Sequence, residues 1–174
     1  MRFVQIIPKL PEESYNMRIL GIDPGTGILG FGVIDNHRGK SKLVDAGVIR
    51  TPVKEDDAVR LQTIFDELTD IITQTKPEVM SVEKLFFSRN VTTAMTVSQA
   101  RGVVLLCGMQ AGLKIYEYTP MQIKQATTGY GKADKKQMQE MVRVHLGLKV
   151  IPKPDDAADA LAAAITHSMT MNLG

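Results

Sequence analysis

Three short apolar runs, separated by turn residues, follow one another between positions 18 and 51. The runs are RILGID (18–23), LGFGVID (29–35) and LVDAGVIRT (43–51). Their composition is typical of β-strands, and Pro24 with Gly25 and the polar stretch 36–40 supply turns between them. The pattern therefore predicts three strands that form an antiparallel meander.

Helical and strand patterns alternate after the meander. Apolar residues spaced three and four apart predict a helix that Asp56 or Asp57 caps and that ends near Gln74. Further strands are predicted at 78–84 and 114–119, and helices at 91–111, 120–126, 134–146 and 155–171. The order βββαβαβ, followed by helices, predicts an α/β fold in which helices flank a five-stranded mixed sheet with an antiparallel edge.

The length of 174 residues fits one domain. Residues 1–16 precede a second methionine, Met17, and their short apolar stretch is too brief for the core of a signal peptide. We interpret 1–16 as a poorly ordered extension, an upstream start or a cloning remnant, and 17–174 as the domain.

Cysteine content and apolar run length exclude several classes of protein. The lone Cys107 excludes a disulfide framework and a cysteine-based zinc site, and it indicates a reducing, cytoplasmic setting. The apolar runs are far shorter than the roughly 18 residues that span a membrane. A hydrophobic content of 44% argues against intrinsic disorder.

The net charge of +2 conceals a strong asymmetry along the chain. Residues 1–83 carry 10 basic and 13 acidic side chains, residues 84–153 carry 11 basic and 3 acidic ones, and residues 154–174 carry three acids alone. The middle segment thus has a net charge of +8 between two segments of −3. Such a segment is either a set of solvated helix faces or a surface that meets phosphates.

The run from Gly25 to Gly30 matches the pattern G-x-G-x-x-G of dinucleotide-binding sites. In that motif the glycines open a helix whose N-terminus binds the pyrophosphate. Here they lead into the strand pattern LGFGVID, so we reject dinucleotide binding. We interpret the glycines as a tight hairpin, with room for close approach of a ligand to the backbone.

Four acidic residues occupy positions that a metal site would need. Asp23 and Glu83 lie at or near the ends of two predicted strands, and Asp156 and Asp159 lie three apart at the start of an alanine-rich helix, on one face. Taken alone, these positions also have structural explanations. Asp23 is a common turn residue before Pro-Gly, Asp155 or Asp156 could be an N-cap, and Asp159 is a favourable charge in the first turns of the helix.

Together the four carboxylates favour a functional interpretation. A helix packed beside two neighbouring strands would bring them to one point, where their repulsion would raise their pKa values. Hard divalent cations with oxygen ligands would neutralise the cluster, and Mg²⁺ commonly combines few carboxylates with substrate phosphates. Two such ions about 3.5–4 Å apart can activate water and stabilise the leaving oxygen in phosphodiester hydrolysis. The basic middle segment would then hold a nucleic-acid backbone.

Four stretches between residues 17 and 167 share the order and the motifs of one known family. They are RILGIDPGTGILGFGVID (18–35), VEKLFFSRN (82–90) with TTAMTVSQARGV (92–103), YTPMQIKQATTGYGKADKKQMQEMV (118–142) and PDDAADALAAAITH (154–167). In these stretches the chain resembles the RuvC Holliday-junction resolvases (crossover junction endodeoxyribonucleases), whose fold is RNase H-like. Asp-Pro-Gly alone would be weak evidence, whereas the four stretches together are highly specific.

The resemblance implies roles residue by residue. Asp23, Glu83, Asp156 and Asp159 fall on the family's metal-binding catalytic carboxylates, whereas Asp155 has no counterpart role and is interpreted as a cap. Basic and aromatic residues would contact DNA. Lys124 and Lys135 fall on basic positions near the scissile phosphate. With Lys132 and Lys136 they flank the stretch 129–131 (Gly-Tyr-Gly), which is interpreted as a mobile loop. The predicted DNA-binding set is Lys124, Lys132, Lys135, Lys136, Arg89, Phe86, Phe87 and Tyr130.

Different roles are predicted for the two adjacent phenylalanines, Phe86 and Phe87. Phe86 falls on an aromatic position that the family uses to stack on or wedge into junction bases, and base stacking is worth about 1–3 kcal/mol. Phe87 either shares this role or packs in the core.

The resemblance also implies an activity, a cofactor and partners. It implies a Mg²⁺-dependent homodimer, with two ions per active site and Mn²⁺ as a substitute, that cuts four-way DNA junctions at two symmetric phosphodiesters. A second apolar side on the helix 91–111 is consistent with the dimer. The RuvA–RuvB branch-migration complex would be a further partner in recombination and repair.

Three other functions are alternatives to this one. An RNase H-like nuclease acting on RNA or flap DNA would not require all four family stretches. A non-catalytic junction-binding module would not require the complete carboxylate set. A phosphotransferase of the actin and sugar-kinase type shares the Asp-Pro-Gly-Thr loop, but it needs two domains to enclose ATP, and this chain is too short for them.

Overall fold

A computed structural model describes residues 17–52, 54–85 and 91–171 of the chain. Residues 1–16 fall outside that range, so their interpretation as a poorly ordered extension to a single domain stays a prediction. Among the described residues, no helix has both the length and the apolar character needed to cross a membrane. The described residues form strands β1 Met17–Asp23, β2 Ile28–His37, β3 Lys40–Arg50, β4 Val79–Glu83 and β5 Lys114–Tyr118, and helices α1 Asp57–Thr75, α2 Val91–Gln110, α3 Pro120–Thr128, α4 Lys135–His145 and α5 Asp155–Met171.

The five strands form one mixed sheet in the order β3-β2-β1-β4-β5. The first three pair antiparallel, whereas β4 pairs parallel with β1 and with β5. The predicted α/β architecture, with its antiparallel edge, is therefore confirmed. One local expectation is only half met: Asp56 occupies the N-cap position of α1, but its side chain makes no capping hydrogen bond.

Strand alternation gives the sheet two apolar faces, each covered by its own helices. On one face Leu20, Ile22 and Val82 are buried with side chains of α1 and α2. On the other, Ile19 and Val79 are buried with side chains of α3, α4 and α5. Successive side chains of a strand point to opposite faces. The buried residues before a strand end therefore show which face the last residue of that strand lies on.

Helix α5 lies directly against the backbone of β1 and β2, because glycines leave that surface without side chains. A Cβ atom added to Gly21 would lie 2.0 Å from the carbonyl oxygen of Ala160, and one added to Gly30 would lie 2.0 Å from that of Asp156. Neither distance is compatible with a side chain. The small residues of α5 and the glycines of the sheet therefore set how closely the two can approach.

Hydrogen bonds from β4 and β5 hold the middle and the end of α5. The hydroxyl of Ser81 donates to the carbonyl oxygen of Ala163 at 2.7 Å. The hydroxyl of Tyr118 and Nδ1 of His167 are hydrogen-bonded at 2.8 Å. These contacts, together with the glycine contacts on β1 and β2, show that α5 crosses four strands of the sheet. Its first turn consequently has a defined position relative to the strand ends.

Candidate active site

The ends of β1 and β4 bring two carboxylates to the same edge of the sheet. The two strands are parallel neighbours in which Ile22 pairs with Val82. Asp23 and Glu83 are the next residues of each strand and end side by side. The residue two positions before each of them contacts α5, so strand alternation turns both acids toward that helix.

The N-terminal end of α5 adds two more carboxylates at this edge. Asp23 pairs with Gly30 of β2, and the main chain of Asp156 packs on Gly30. Asp159 follows three residues later and lies on the same side of the helix. The close approach that Gly30 permits is thus what brings the acids of α5 beside Asp23.

Burial and the charges of neighbouring acids strongly raise the pKa of Asp23. Burial raises its pKa most, and the charges of Glu83, Asp159 and Asp156 raise it further, to about 8, although Lys135 acts in the opposite direction. At neutral pH this carboxyl group therefore retains its proton unless a further positive charge, such as a bound cation, lies beside it. That behaviour is expected of a group that shares a site with other acids.

Glu83 and Asp159 have the same kind of environment. Burial raises the pKa of Glu83, and the negative charge of Asp159 adds to the effect while Lys124 reduces it. Burial also raises the pKa of Asp159, with Lys135 opposing and Asp156 adding to the shift. Lys124 and Lys135 therefore lie near enough to the carboxylates to act on them through their charges.

The cluster offers only carboxylate oxygens, which hard divalent cations prefer as ligands. Within the part of the chain that the structure describes, no three carboxylate, imidazole or thiol groups already stand in the arrangement of a metal site. The four acids nevertheless lie at one edge and act on one another through their charges. The donor chemistry fits a divalent cation, and the carboxylates converge without forming a closed cage.

Asp155 does not cap α5, and that expectation was wrong. The helix begins at Asp155 itself, and the carbonyl of Pro154 accepts the first helical hydrogen bonds. The carboxylate of Asp155 lies 2.8 Å from Lys153 Nζ and 3.1 Å from Lys135 Nζ. Hydrogen bonds from these two lysines lower the pKa of Asp155 to about 2. Lys135 also lies 3.9 Å from Asp159, so Asp155 holds a lysine against the carboxylate cluster.

The loop between α3 and α4 presents the remaining described members of the DNA-binding set. Tyr130 is 58% exposed and lies just beyond Gly129, whose φ of 76° ends α3. Lys132 and Lys136 are exposed on the same connection and on the first turn of α4. Tyr130 and Lys136 line a cavity of about 430 Å³. Phe86, Phe87 and Arg89 lie outside the described residues, so their roles stay predictions.

Part of the basic middle segment is neutralised by its own acids. Arg101 forms an ion pair with Glu117, and Arg143 forms one with Glu140 at 2.5 Å. Lys114 begins β5 and therefore lies at the end of the sheet opposite to the carboxylates. The net charge of the segment thus overstates the positive charge that is available at the candidate site.

Glycines of β1 and β2 allow close packing of α5, a role that the sequence did not predict. Gly25 serves the hairpin turn as expected, since a Cβ there would lie 2.1 Å from the carbonyl oxygen of Ile28. Gly30, by contrast, admits the backbone of α5 rather than a ligand. The available signal was the spacing of Gly21, Gly30 and Gly32 on alternating strand positions, opposite an alanine-rich helix.

Comparison with known proteins gives a consistent result. The family model "Crossover junction endodeoxyribonuclease RuvC" matches residues 19–167. The chain is 55% identical to the protein of that name from Brevibacillus brevis over 152 residues, which cover 87% of this chain and 92% of the relative. It is 56% identical to the one from Heliobacterium modesticaldum over 156 residues, with coverage of 88% and 96%.

Solved structures show the same similarity in three dimensions. The structure "T. thermophilus RuvC in complex with Holliday junction substrate" matches with a TM-score of 0.87 and 39% identity, over 91% of this chain and 97% of that one. The yeast mitochondrial Holliday junction resolvase Ydc2 matches with a TM-score of 0.65 and 14% identity, over 92% and 81% of the two chains. The second match indicates a shared fold only.

Proposed function

The chain belongs to the crossover junction endodeoxyribonuclease RuvC family, and we propose that Asp23, Glu83, Asp156 and Asp159 hold the metal ions with which it cuts four-way DNA junctions. The protein is a nuclease of DNA recombination and repair, and its family depends on divalent metal ions. The observation that carries the proposal for the site is the convergence of four acids, from two strand ends and one helix, with the pKa of Asp23 raised to about 8.

The four carboxylates differ in burial and in the element that carries them. Asp23 and Glu83 are the more enclosed pair at the strand ends, and Asp156 and Asp159 approach from α5. We propose two Mg²⁺ ions per site, with Mn²⁺ as a substitute. When bound, such ions activate a water molecule and stabilise the leaving oxygen of a phosphodiester. The protein holds the acids close together and partly shielded from water, so that their attraction for cations is less weakened by the solvent.

Lys124 and Lys135 supply the opposite charge beside the acids. Their charges act on Glu83 and Asp159, as the pKa values of those groups show. A phosphodiester that approaches the carboxylates meets repulsion, which these lysines and the bound cations offset. We propose that Lys124 and Lys135 orient the scissile phosphate, while Lys132, Lys136 and Tyr130 guide the strand along the α3–α4 loop.

The substrate is tested by offering the purified protein four DNA or RNA structures of equal length with Mg²⁺. We expect paired, symmetric cuts in a four-way junction, and little cleavage of linear duplex DNA, flap DNA or an RNA–DNA hybrid. Denaturing electrophoresis of end-labelled strands measures this. Preferred cleavage of the flap or the hybrid would favour the alternative nuclease, and binding without cleavage would favour a non-catalytic module.

Removing the charge of Lys124 should weaken binding of the junction. We expect Lys124→Ala to lower affinity several-fold and to reduce the slope of log affinity against log salt by about one, because one phosphate contact is lost. Fluorescence anisotropy at several salt concentrations measures both quantities. Lys114→Ala is the control, since Lys114 is exposed at the opposite end of the sheet. Equal behaviour of the two variants would remove Lys124 from the DNA surface.

Helix α2 carries an apolar stripe that supports a homodimer. Met95, Leu106 and Met109 are 62%, 51% and 66% exposed, although Ala100, Val104 and Cys107 of the same helix are buried in the core. Apolar side chains so exposed on one side of a helix are typical of an interface. Since a junction has two symmetric strands, we propose that a second copy packs on this stripe.

A charge placed on the stripe should separate the two copies. We expect Leu106→Glu to shift the sedimentation coefficient from that of a dimer to that of a monomer, because a buried, unpaired carboxylate is costly. Val144→Glu is the matched control, since Val144 is 52% exposed on α4. If the Leu106 variant remains dimeric, the interface lies elsewhere.

Two further proposals follow from family membership. We propose that the protein acts in the cytoplasm on junctions that it shares with the RuvA–RuvB branch-migration complex. The support is the match to the RuvC family over residues 19–167.

A further inference from the structure

We propose that the cleft lined by Lys84, Leu85, Ser98 and Arg101 binds a DNA phosphate next to the scissile one, so that the cleaved strand is held on both faces of the sheet. The cleft has a volume of about 280 Å³. This inference rests on the proposed function and adds a subsite to it. The ligand class is the phosphodiester backbone of the junction strand.

The cleft lies directly behind the carboxylate cluster. Glu83 faces α5, and Val82 is buried on the α1–α2 side. Lys84 continues this alternation, because its N–H donates to the carbonyl oxygen of Tyr118 at 2.8 Å and so extends the β4–β5 pairing by one residue. Its side chain therefore joins the α2 side, where Ser98 and Arg101 complete the cleft. The proposed metal ligand Glu83 and the cleft residue Lys84 are thus consecutive residues on opposite faces of the sheet.

The charges of the cleft suit an anion. Lys84 is exposed, so its ammonium group is accessible to an anion in the cleft. Arg101 forms an ion pair with Glu117 of β5, with side-chain exposures of 22% and 34%. A guanidinium group has five N–H donors, so it can hold a carboxylate and a phosphate together. The hydroxyl of Ser98 donates to the carbonyl oxygen of Ala94, which leaves recognition of the anion to the two cations.

The position of the cleft favours a DNA strand over a free anion. Lys124 and Lys135 flank the carboxylates on the α5 side, and Lys84 and Arg101 flank them on the α2 side. A strand with its scissile phosphate at the sheet edge would present neighbouring phosphates to both flanks. Ser98 and Arg101 also adjoin, on α2, the exposed apolar stripe proposed as the dimer interface. The cleft thus lies on the path from the active site toward the second copy.

Lys84→Ala tests the proposal most directly. In an Asp23→Asn background, which removes cleavage from the measurement, we expect junction affinity to fall about 3–10-fold and the salt slope to fall by about one. Lys114→Ala in the same background is the control, because Lys114 carries the same charge at the far end of the sheet. If Lys84→Ala binds as Lys114→Ala does, the subsite does not exist.

Glu117→Gln gives a second test with the opposite sign. Removal of its charge frees Arg101 for a phosphate, so we expect junction affinity to rise about 2–5-fold and the salt slope to steepen. Asp70→Asn on the exposed surface of α1 controls for the loss of one negative charge. An equal or smaller gain for Glu117→Gln than for Asp70→Asn would overturn the proposal.

The Lys124→Ala variant separates failure of the subsite from failure of the proposed function. If Lys124→Ala weakens binding and Lys84→Ala does not, the subsite alone is wrong. If neither variant affects binding, both the proposed DNA-binding surface at Lys124 and the proposed subsite at Lys84 are wrong.

Discussion

Replacement of Asp23 by Asn should abolish junction cleavage and, in the metal-free protein, raise thermal stability at pH 8. Loss of a metal ligand should reduce the cleavage rate by more than about 100-fold, since even changes to outer-shell partners cost about 10–100-fold. The gain in stability arises because Asn removes a buried carboxyl group that three other acids repel. We expect a gain on the order of 3 kcal/mol, or about 5–10 °C in the melting temperature.

The pH dependence of the gain follows from the direction of the pKa shift. The pKa of Asp23 is raised from 3.8 to about 8 in the folded protein. Between these two values the folded state binds the proton more tightly than the unfolded state, so the stability contributed by this group is complete below pH 4 and is lost as the pH rises through 8. The variant should therefore gain little near pH 4 and most near pH 8–9.

Thermal unfolding in a chelating buffer from pH 4 to 9, with a junction cleavage assay in Mg²⁺, measures both effects. Asp70→Asn provides the control, because it makes the same chemical change on an exposed surface of α1. It should cut junctions at the wild-type rate. Cleavage by Asp23→Asn at a rate near that of the wild type would contradict the proposed centre, and an unchanged melting curve would contradict the repulsion.

Gly30→Ala and Gly102→Ala should change stability in opposite directions. A Cβ at Gly30 would lie 2.0 Å from the carbonyl oxygen of Asp156, so α5 must move or the chain must unfold, at a cost of about 3 kcal/mol or more. A Cβ at Gly102, within α2, meets nothing within 4 Å. Gly102 lies four residues before Leu106 on the proposed dimer stripe, so the stabilities of the two glycine variants are compared in a Leu106→Glu background, in which we expect separate copies. There alanine should stabilise the helix by about 0.5–1 kcal/mol, because it restricts the unfolded chain.

Urea unfolding of both variants, at one protein concentration, measures this pair. Gly30→Ala should also lose cleavage, since the shift displaces Asp156 and Asp159 from Asp23. A variant that keeps wild-type stability and activity would show that the position of α5 does not depend on this contact. A destabilised Gly102→Ala would show that Gly102 is enclosed in the folded protein.

Much of the fold could be predicted because its signals are local. The strand pattern at 18–23 and 29–35 became β1 and β2 with small differences in their bounds, and Asp23 and Glu83 do end parallel neighbouring strands. The interpretation of Asp155 as a cap failed for a physical reason. Its sequence position is that of an N-terminal helix residue, but two lysines, one of them 20 positions away along the chain, compete for its carboxylate.

The sequence by itself determined which side chains can serve a nuclease and on which elements they lie, because strand ends, helix spacing and family motifs are properties of short segments. Only the tertiary structure decided which charges act on one another. Coulomb energy depends on separation and burial, and these follow from how closely α5 approaches Gly21 and Gly30. The same approach raises the pKa of Asp23, whereas Arg101, counted along the chain as a free positive charge, is paired with Glu117.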